Sequence, residues 1–263
     1  MSTLKLRTAI DLVPPRIRLA KRAMQAWYWG EPELRLLPYL FNRNECVVDV
    51  GANYGVYSWH AWSRAKKVIA FEPQPELVAF LQRALGPKVR VEHAALSDSA
   101  GDVVLRVPID RMQDGRATLE EDNDLGLLPA HAIQVPCRRL DDYDLDRIGF
   151  IKIDVEGHEL AVINGGWGVI SRDLPHLLVE AEERHRKGAL ASVATRLAAL
   201  GYGGYFLRAG ALDSIDYPDQ HNGAGVQPPS GVNNFLFLAP RPWHDHLRYL
   251  VEKGRHLPRA TAA

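Results

Sequence analysis

Two spacings of apolar residues alternate along the chain. Over residues 15–40 apolar positions recur three and four apart, with a break at "WGEPE", and this predicts a helical segment. The run "CVVDV" then closes on Asp49 and Val50, as expected of a short strand buried on both faces. Beyond the glycines at 51 and 55, "SWHAWSRA" predicts a helix and "KVIAFE" a second buried strand. "PELVAFLQRAL" predicts a helix that stops at Gly86-Pro87, and "VRVEHAAL" a third strand. This β-α-β-α-β order implies a parallel sheet with right-handed crossovers.

From Gly101 the rhythm changes. "DVVLRVP" and "AIQVPCRRL" alternate in strand fashion around a polar stretch, which predicts an inserted hairpin at about 101–138 whose tip can cover a site. Buried strands resume at "GFIKID" and "HLLVEAE", with helices at "HELAVINGG" and "LASVATRLAALG" and a final strand at "NNFLFLAP". Residues 1–45 form an N-terminal helical segment, 46–240 the core, and 241–263 a helical tail with an unstructured end. Without repeats or a low-complexity linker, one domain over 1–263 is the simplest expectation.

Composition narrows the class. Apolar residues make up 46% and charged residues 24%, the balance of a globular chain with an ample core. Lys plus Arg and Asp plus Glu are both 32, so no basic excess favours nucleic acid as a partner. Cys46 and Cys137 are too few for a disulfide framework. The opening residues are basic without the apolar core of a signal peptide, and no run is long enough to span a bilayer. A cytoplasmic protein is the default expectation; the oligomeric state is left open.

The glycine corner carries the first chemistry. A strand, a tight glycine turn and a helix start form the nucleotide-binding corner of a doubly wound sheet. Gly51 lets the chain turn off the strand, and Gly55 permits close approach to the backbone. Glu72 ends the second strand 21 residues after Gly51, where a carboxylate accepts bonds from both ribose hydroxyls. The spacing D-x-G-x-x-x-G is not the dinucleotide fingerprint, and no G-K-[ST] follows for a triphosphate. S-adenosylmethionine is the expected ligand.

The blocks "VVDVGANYGVYS", "AFEPQPE", "HAALSD", "RMQDGRATL", "RRLDDY", "FIKIDVEGHELAVINGG", "HLLVEAE" and "NNFLF" occur in the order seen in the FkbM family of methyltransferases, which the chain resembles over roughly residues 45–240. The resemblance implies an α/β, Rossmann-like class I methyltransferase fold: a seven-stranded, mostly parallel sheet in the order 3-2-1-4-5-7-6 with helices on both faces. It implies that Asp49, Gly51, Asn53 and Gly55 line the methionine end of the cofactor. Glu72 would hold the ribose diol, Pro73 shape the turn beneath it, and Ser97 and Asp98 lie beside the adenine. Family members mostly methylate hydroxyls of sugars and natural products, so an O-methyltransferase acting on a small-molecule or oligosaccharide acceptor is expected. The alternatives are methyl transfer to nitrogen or carboxylate of a peptide-type metabolite, and a non-catalytic cofactor-binding module.

Catalysis is expected outside the carboxyl ends of the strands. Methyl transfer needs an aligned acceptor and a group to take its proton, and Asp154, His158 and Glu180 are the candidates. Each also has a structural reading: Asp154 as an orienting acceptor beside Lys152, His158 as a satisfied histidine, Glu180 as a backbone-bonded strand end. Asp154 and Glu180 are also two hard oxygen ligands for a magnesium ion, although no ligand spacing demands a metal. For the acceptor, Arg111, Arg116, Glu156 and Asn222 are candidate contacts. Trp59 and Trp62, three apart on a helix, are expected in the core.

Overall fold

The computed structural model describes residues 13–109, 117–120, 130–182, 187–215 and 231–253. Its main sheet contains β1 (Cys46–Val50), β2 (Lys67–Phe71), β3 (Val89–Glu92), β7 (Ile148–Ile153), β8 (His176–Glu180), β9 (Gly203–Arg208), β10 (Ala211–Ser214) and β11 (Asn234–Leu238). They lie in the order β10-β9-β11-β8-β7-β1-β2-β3. The expected order 3-2-1-4-5-7-6 is contained within this sheet, and β11 is the antiparallel member between β8 and β9. The departure is an eighth strand, β10, hairpinned onto β9 through Ala209 and Gly210. Both turn residues have positive φ, 49° and 85°, and an Ala at the first of these positions hides the hairpin from a search for Asn-Gly or Asp-Gly.

The third expected strand divides. Val89–Glu92 stays in the main sheet, while β4 (Ala95–Leu96) leaves it to pair with β6 (Ala130–Arg138). β6 pairs antiparallel with β5 (Gly101–Pro108), so the inserted hairpin is the body of a second, three-stranded sheet. His93 and Ala94 make the break, which turns the chain from the main sheet towards the insertion.

Helices cover both faces of the main sheet. On one side lie α5 (Glu159–Gly165), α6 (Trp167–Asp173) and α7 (Ala189–Ala198), whose Val162, Ile163, Ile170 and Leu190 pack against Val48, Val50, Ile151 and Ile153. On the other lie α1 (Pro15–Trp29), α2 (Leu37–Leu40), α3 (Val56–Ala61), α4 (Pro75–Leu85) and α8 (Asp245–Lys253), with Leu19, Tyr57, Leu81 and Leu247 against Val47, Val68 and Phe150. Phe71, Phe150, Phe235 and Phe237 are fully buried, each contributing about 2–3 kcal/mol of hydrophobic stabilisation. Trp59 and Trp62 pack on the second core, as their helical spacing predicts. The alternation of strand side chains also puts Asp49 and Lys152 on the α1 face, and this sets up the site.

One buried ion pair ties the edges of this architecture together. Arg241, after β11, donates to Glu45 Oε1 at 2.7 Å, to the Leu40 carbonyl at 3.2 Å and to the Gly149 carbonyl at 3.0 Å. Glu45 is 4% exposed, and a Cβ on Gly149 would lie 2.4 Å from its Oε2. Removing one member strands a buried charge. We expect Arg241→Met to lower unfolding free energy by about 3 kcal/mol, read from urea denaturation, with partial recovery on adding Glu45→Gln.

Candidate functional site

β1 and β7 are adjacent and parallel, and their chains leave the sheet in different directions, so a crevice opens at their carboxyl ends. Gly51 has φ of 74°, and a Cβ there would lie 1.9 Å from the Asp154 carbonyl oxygen. Only glycine fits that approach. Its N–H and that of Ala52 donate to the Phe71 carbonyl, both at 3.0 Å, locking the turn to the end of β2. Asp49 is buried and accepts from Ser58 twice, N–H at 3.0 Å and Oγ at 2.6 Å, which fixes the first turn of α3. Burial pushes its carboxyl pKa up, against the Ser58 bonds.

Gly55 serves a different purpose from the one its spacing suggests. Its φ is 80°, and a Cβ would meet Leu81 Cδ2 of α4 at 2.6 Å. The residue lines neither cleft described below, so its freedom from a side chain is used in helix packing rather than ligand approach.

The first cleft holds about 570 Å³, open mouth included, between the ends of β1 and β2 and the hairpin sheet. Gly51, Asn53, Glu72 and Pro73 form one side, and Leu105, Ala117 and Leu119 of the insertion the other. Glu72 is 3% exposed; its Oε2 accepts the Asn53 N–H at 2.7 Å and its Oε1 the Gln74 N–H at 2.9 Å. Each oxygen retains acceptor capacity towards the cleft. Burial raises this carboxyl to about 7, with the two backbone bonds opposing.

The hairpin tip is fastened over this cleft. Thr118 Oγ donates to the Glu156 carbonyl at 2.8 Å, and the Glu120 N–H donates to Thr118 Oγ at 3.1 Å. His158 bridges the tip to the core, with Nδ1 2.6 Å from Glu120 and Nε2 2.8 Å from Ser97 Oγ. His158 therefore lines the first cleft with both ring nitrogens engaged. Ser97 acts through His158, and Asp98, 3.3 Å from Ser97 Oγ, is exposed beside the cleft rather than lining it. Glu156, at φ of 54°, forms the turn beneath the tip and lines neither cleft. Arg111, Arg116 and Asn222 lie outside the described residues.

A second cleft of about 750 Å³, open mouth included, shares Gly51, Asn53 and Asp154 with the first. Its floor is Lys152, a buried ammonium 3.8 Å from Asp154, 3.7 Å from Glu180 and 3.3 Å from Asn234 Oδ1. Burial works against the lysine's charge, but Asp154, Glu180 and Glu31 outweigh it and hold its pKa up. Asp154 is pushed well above the usual carboxylate range by burial and by Glu180, Glu156 and Glu31, with Lys152 opposing. The two candidate magnesium ligands thus flank an ammonium, and a divalent cation between them would be repelled by it. Among the described residues, no group of three or more His, Cys, Asp or Glu is placed to hold a metal.

The opposite wall is Glu31, Arg22 and Gln25 from the N-terminal segment and Tyr57 from α3. Sequence reasoning assigned none of these to the site, nor Thr118 and Glu120. Lys152 did carry a signal, being a lone cation inside the apolar strand "GFIKI".

The buried Glu72 has a measurable consequence. A carboxyl whose pKa is raised from 4.5 to about 7 binds its proton more tightly when folded, so stability is greatest at low pH and falls as pH rises through that window. Relative to Glu72→Gln, the wild type should lose roughly 2.5 kcal/mol of unfolding free energy between pH 5 and 8. A pH-independent difference between the two urea midpoints would contradict the burial argument.

Comparison with known proteins adds to this geometry. The family model described as the methyltransferase FkbM domain matches residues 49–205. The chain is 29% identical over 243 residues to the AMB antimetabolite synthetase AmbE of Pseudomonas aeruginosa, covering 74% of this chain and 11% of that protein. It is 27% identical over 141 residues to the hexuronic acid methyltransferase AglP of Haloferax volcanii, covering 52% of this chain and 56% of the relative. The crystal structure of methyltransferase FkbM from Methylobacillus flagellatus KT shares the fold with a TM-score of 0.50 at 19% identity, over 81% of this chain and 47% of that one. The chain thus spans only a part of the length of each of these relatives. With a match over more than half its length, the chain belongs to the FkbM methyltransferase domain family.

Proposed function

We propose that the chain transfers a methyl group from S-adenosylmethionine to a hydroxyl of a saccharide or hydroxylated natural product. The observation that carries this reading is the meeting of two clefts at Gly51, Asn53 and Asp154. The first cleft fits an adenosyl group. Glu72 offers two oriented oxygens to a ribose diol, and Leu96, Leu105 and Leu119 offer apolar walls to a base. At the junction, Asn53 Oδ1 is buried with no hydrogen-bond partner, an acceptor suited to an ammonium donor. The nearby carboxylates Asp49 and Asp154 suit a sulfonium. When bound, that group supplies a methyl carbon already activated by positive sulfur.

What remains for the protein is alignment and proton removal. An acceptor hydroxyl entering from the second cleft attacks the methyl carbon; the carbon–oxygen bond forms as the carbon–sulfur bond breaks, and the hydroxyl proton passes to a base. We assign that base to Asp154, which is common to both clefts and keeps about a third of its side-chain surface exposed (34%). Lys152, 3.8 Å away, opposes the burial that raises its pKa and so favours the ionised form that a base requires. Lys152 and Glu180 position it. His158 is a positioning residue that holds the hairpin wall, since both its nitrogens are spoken for. With Lys152 where a cation would sit, no step is routed through a metal. The hexuronic acid methyltransferase and the antimetabolite synthetase among the relatives support a sugar or natural-product acceptor.

Calorimetric titration with S-adenosylhomocysteine is the test. The wild type should bind in the micromolar range, and Glu72→Ala should weaken binding by about 100-fold through loss of two charged hydrogen bonds. A wild type that does not bind would remove the methyl-donor reading. Transfer of labelled methyl to a hydroxylated acceptor should slow by about 10²–10⁴ in Asp154→Asn, with affinity for the uncharged S-adenosylhomocysteine nearly unchanged. An unchanged rate would assign the base elsewhere.

A further inference from the structure

The family match begins at Asp49, yet much of the second cleft's wall comes from residues before it. Arg22 and Gln25 stand on α1, and Glu31 precedes the 3-10 turn at Pro32–Leu36. This segment is firmly seated. Leu19 and Ala23 are fully buried, and three arginines of α1 lie over rings of the core domain: Arg16 over Trp59 at 5.7 Å, Arg18 over Phe80 at 5.3 Å and Arg22 over Tyr54 at 3.7 Å. Glu31 is therefore held on a fixed wall facing the crevice.

Across from it, Tyr57 is 7% exposed, and its hydroxyl is buried with no hydrogen-bond partner. Such an orphan calls for an explanation, because buried hydroxyls are nearly always paired. Burial pushes the phenol well above its usual range, and the Glu31 carboxylate, an acceptor facing the hydroxyl, adds to the shift. The phenol therefore stays protonated, as a donor. Lys152 lies 5.3 Å from its ring, so the hydroxyl belongs to the same crevice as the proposed base.

We propose that Glu31, from upstream of the matched domain, and Tyr57, from within it, form an acceptor subsite that grips neighbouring hydroxyls of a neutral polyol such as a sugar ring. This rests on the methyl-transfer reading above and names where its acceptor is held. A hydroxyl both donates and accepts, so one can donate to Glu31 while another accepts from Tyr57. An apolar acceptor would leave the Tyr57 hydroxyl unpaired, and a carboxylate at this depth would face Glu31 and Asp154. Arg22 and Gln25, exposed at the rim, supply donors to whatever extends outward.

The test uses full-length protein saturated with S-adenosylhomocysteine and titrated with methyl β-D-glucopyranoside, read by saturation-transfer NMR, with cyclohexanol as a probe lacking a second hydroxyl. Sugar affinity should fall about tenfold in Tyr57→Phe and in Glu31→Gln, as expected when a site built to bond a hydroxyl loses one partner. Cyclohexanol, with one hydroxyl, should lose less affinity than the sugar, and S-adenosylhomocysteine affinity should stay unchanged. No sugar binding to the wild type, or equal sugar binding in wild type and both variants, would overturn the subsite. If the wild type fails to bind S-adenosylhomocysteine, the methyl-donor reading fails on its own, and the same sugar titration without it still decides the subsite.

Discussion

The contact between the backbone of Gly51 and the Asp154 carbonyl oxygen is the constraint on which the site rests. With a Cβ only 1.9 Å from that oxygen, any other residue would push β1 and β7 apart at their carboxyl ends. Because the turn after β1 stays that tight, Asn53 reaches Glu72 with its N–H, and Asp154 stands at the junction of two clefts. A glycine at one position thus connects the sequence pattern to the placement of Asn53, Glu72 and Asp154, each just beyond the end of a different strand.

Around that junction the charges are unequal in number. Lys152 alone neutralises Asp154 and Glu180, with Glu31 and Asp49 also within its influence. A buried ammonium tolerates this company, and the carboxylates share one counter-charge between them, which keeps Asp154 easier to protonate than a surface aspartate. The ammonium also stands beside both strand-end carboxylates, where it would repel a divalent cation. The hairpin sheet closes the other side through Thr118, Glu120 and His158, so the wall against the first cleft is fastened by side-chain bonds rather than by strand pairing to the main sheet.

The strands and the corner were legible because they rest on local signals: buried apolar runs, a glycine turn and an acid at a fixed distance. The order of the strands came instead from the family resemblance, since no local signal encodes it. The hairpin strand β10 was hidden by an Ala-Gly turn, and Gly55 looked like a ligand contact although it accommodates Leu81. His158 suggested a base by residue type alone, while its two partners come from 38 and 61 residues away. Glu31 and Tyr57 had no pattern to mark them, since their meeting depends on how α1 docks onto α3. Non-local contacts of this kind are decided by packing, which spacing along a chain does not encode.

The central claim is that one ligand lies across the Gly51 junction, with its ribose on Glu72 and its reactive centre at Asp154. A crystal structure of the complex with S-adenosylhomocysteine tests this most directly. The account predicts both ribose hydroxyls on the Glu72 oxygens, the amino group on Asn53 Oδ1, and the sulfur facing the second cleft beside Asp154. Ligand density elsewhere, or an adenosine that leaves Glu72 without a ribose contact, would contradict it.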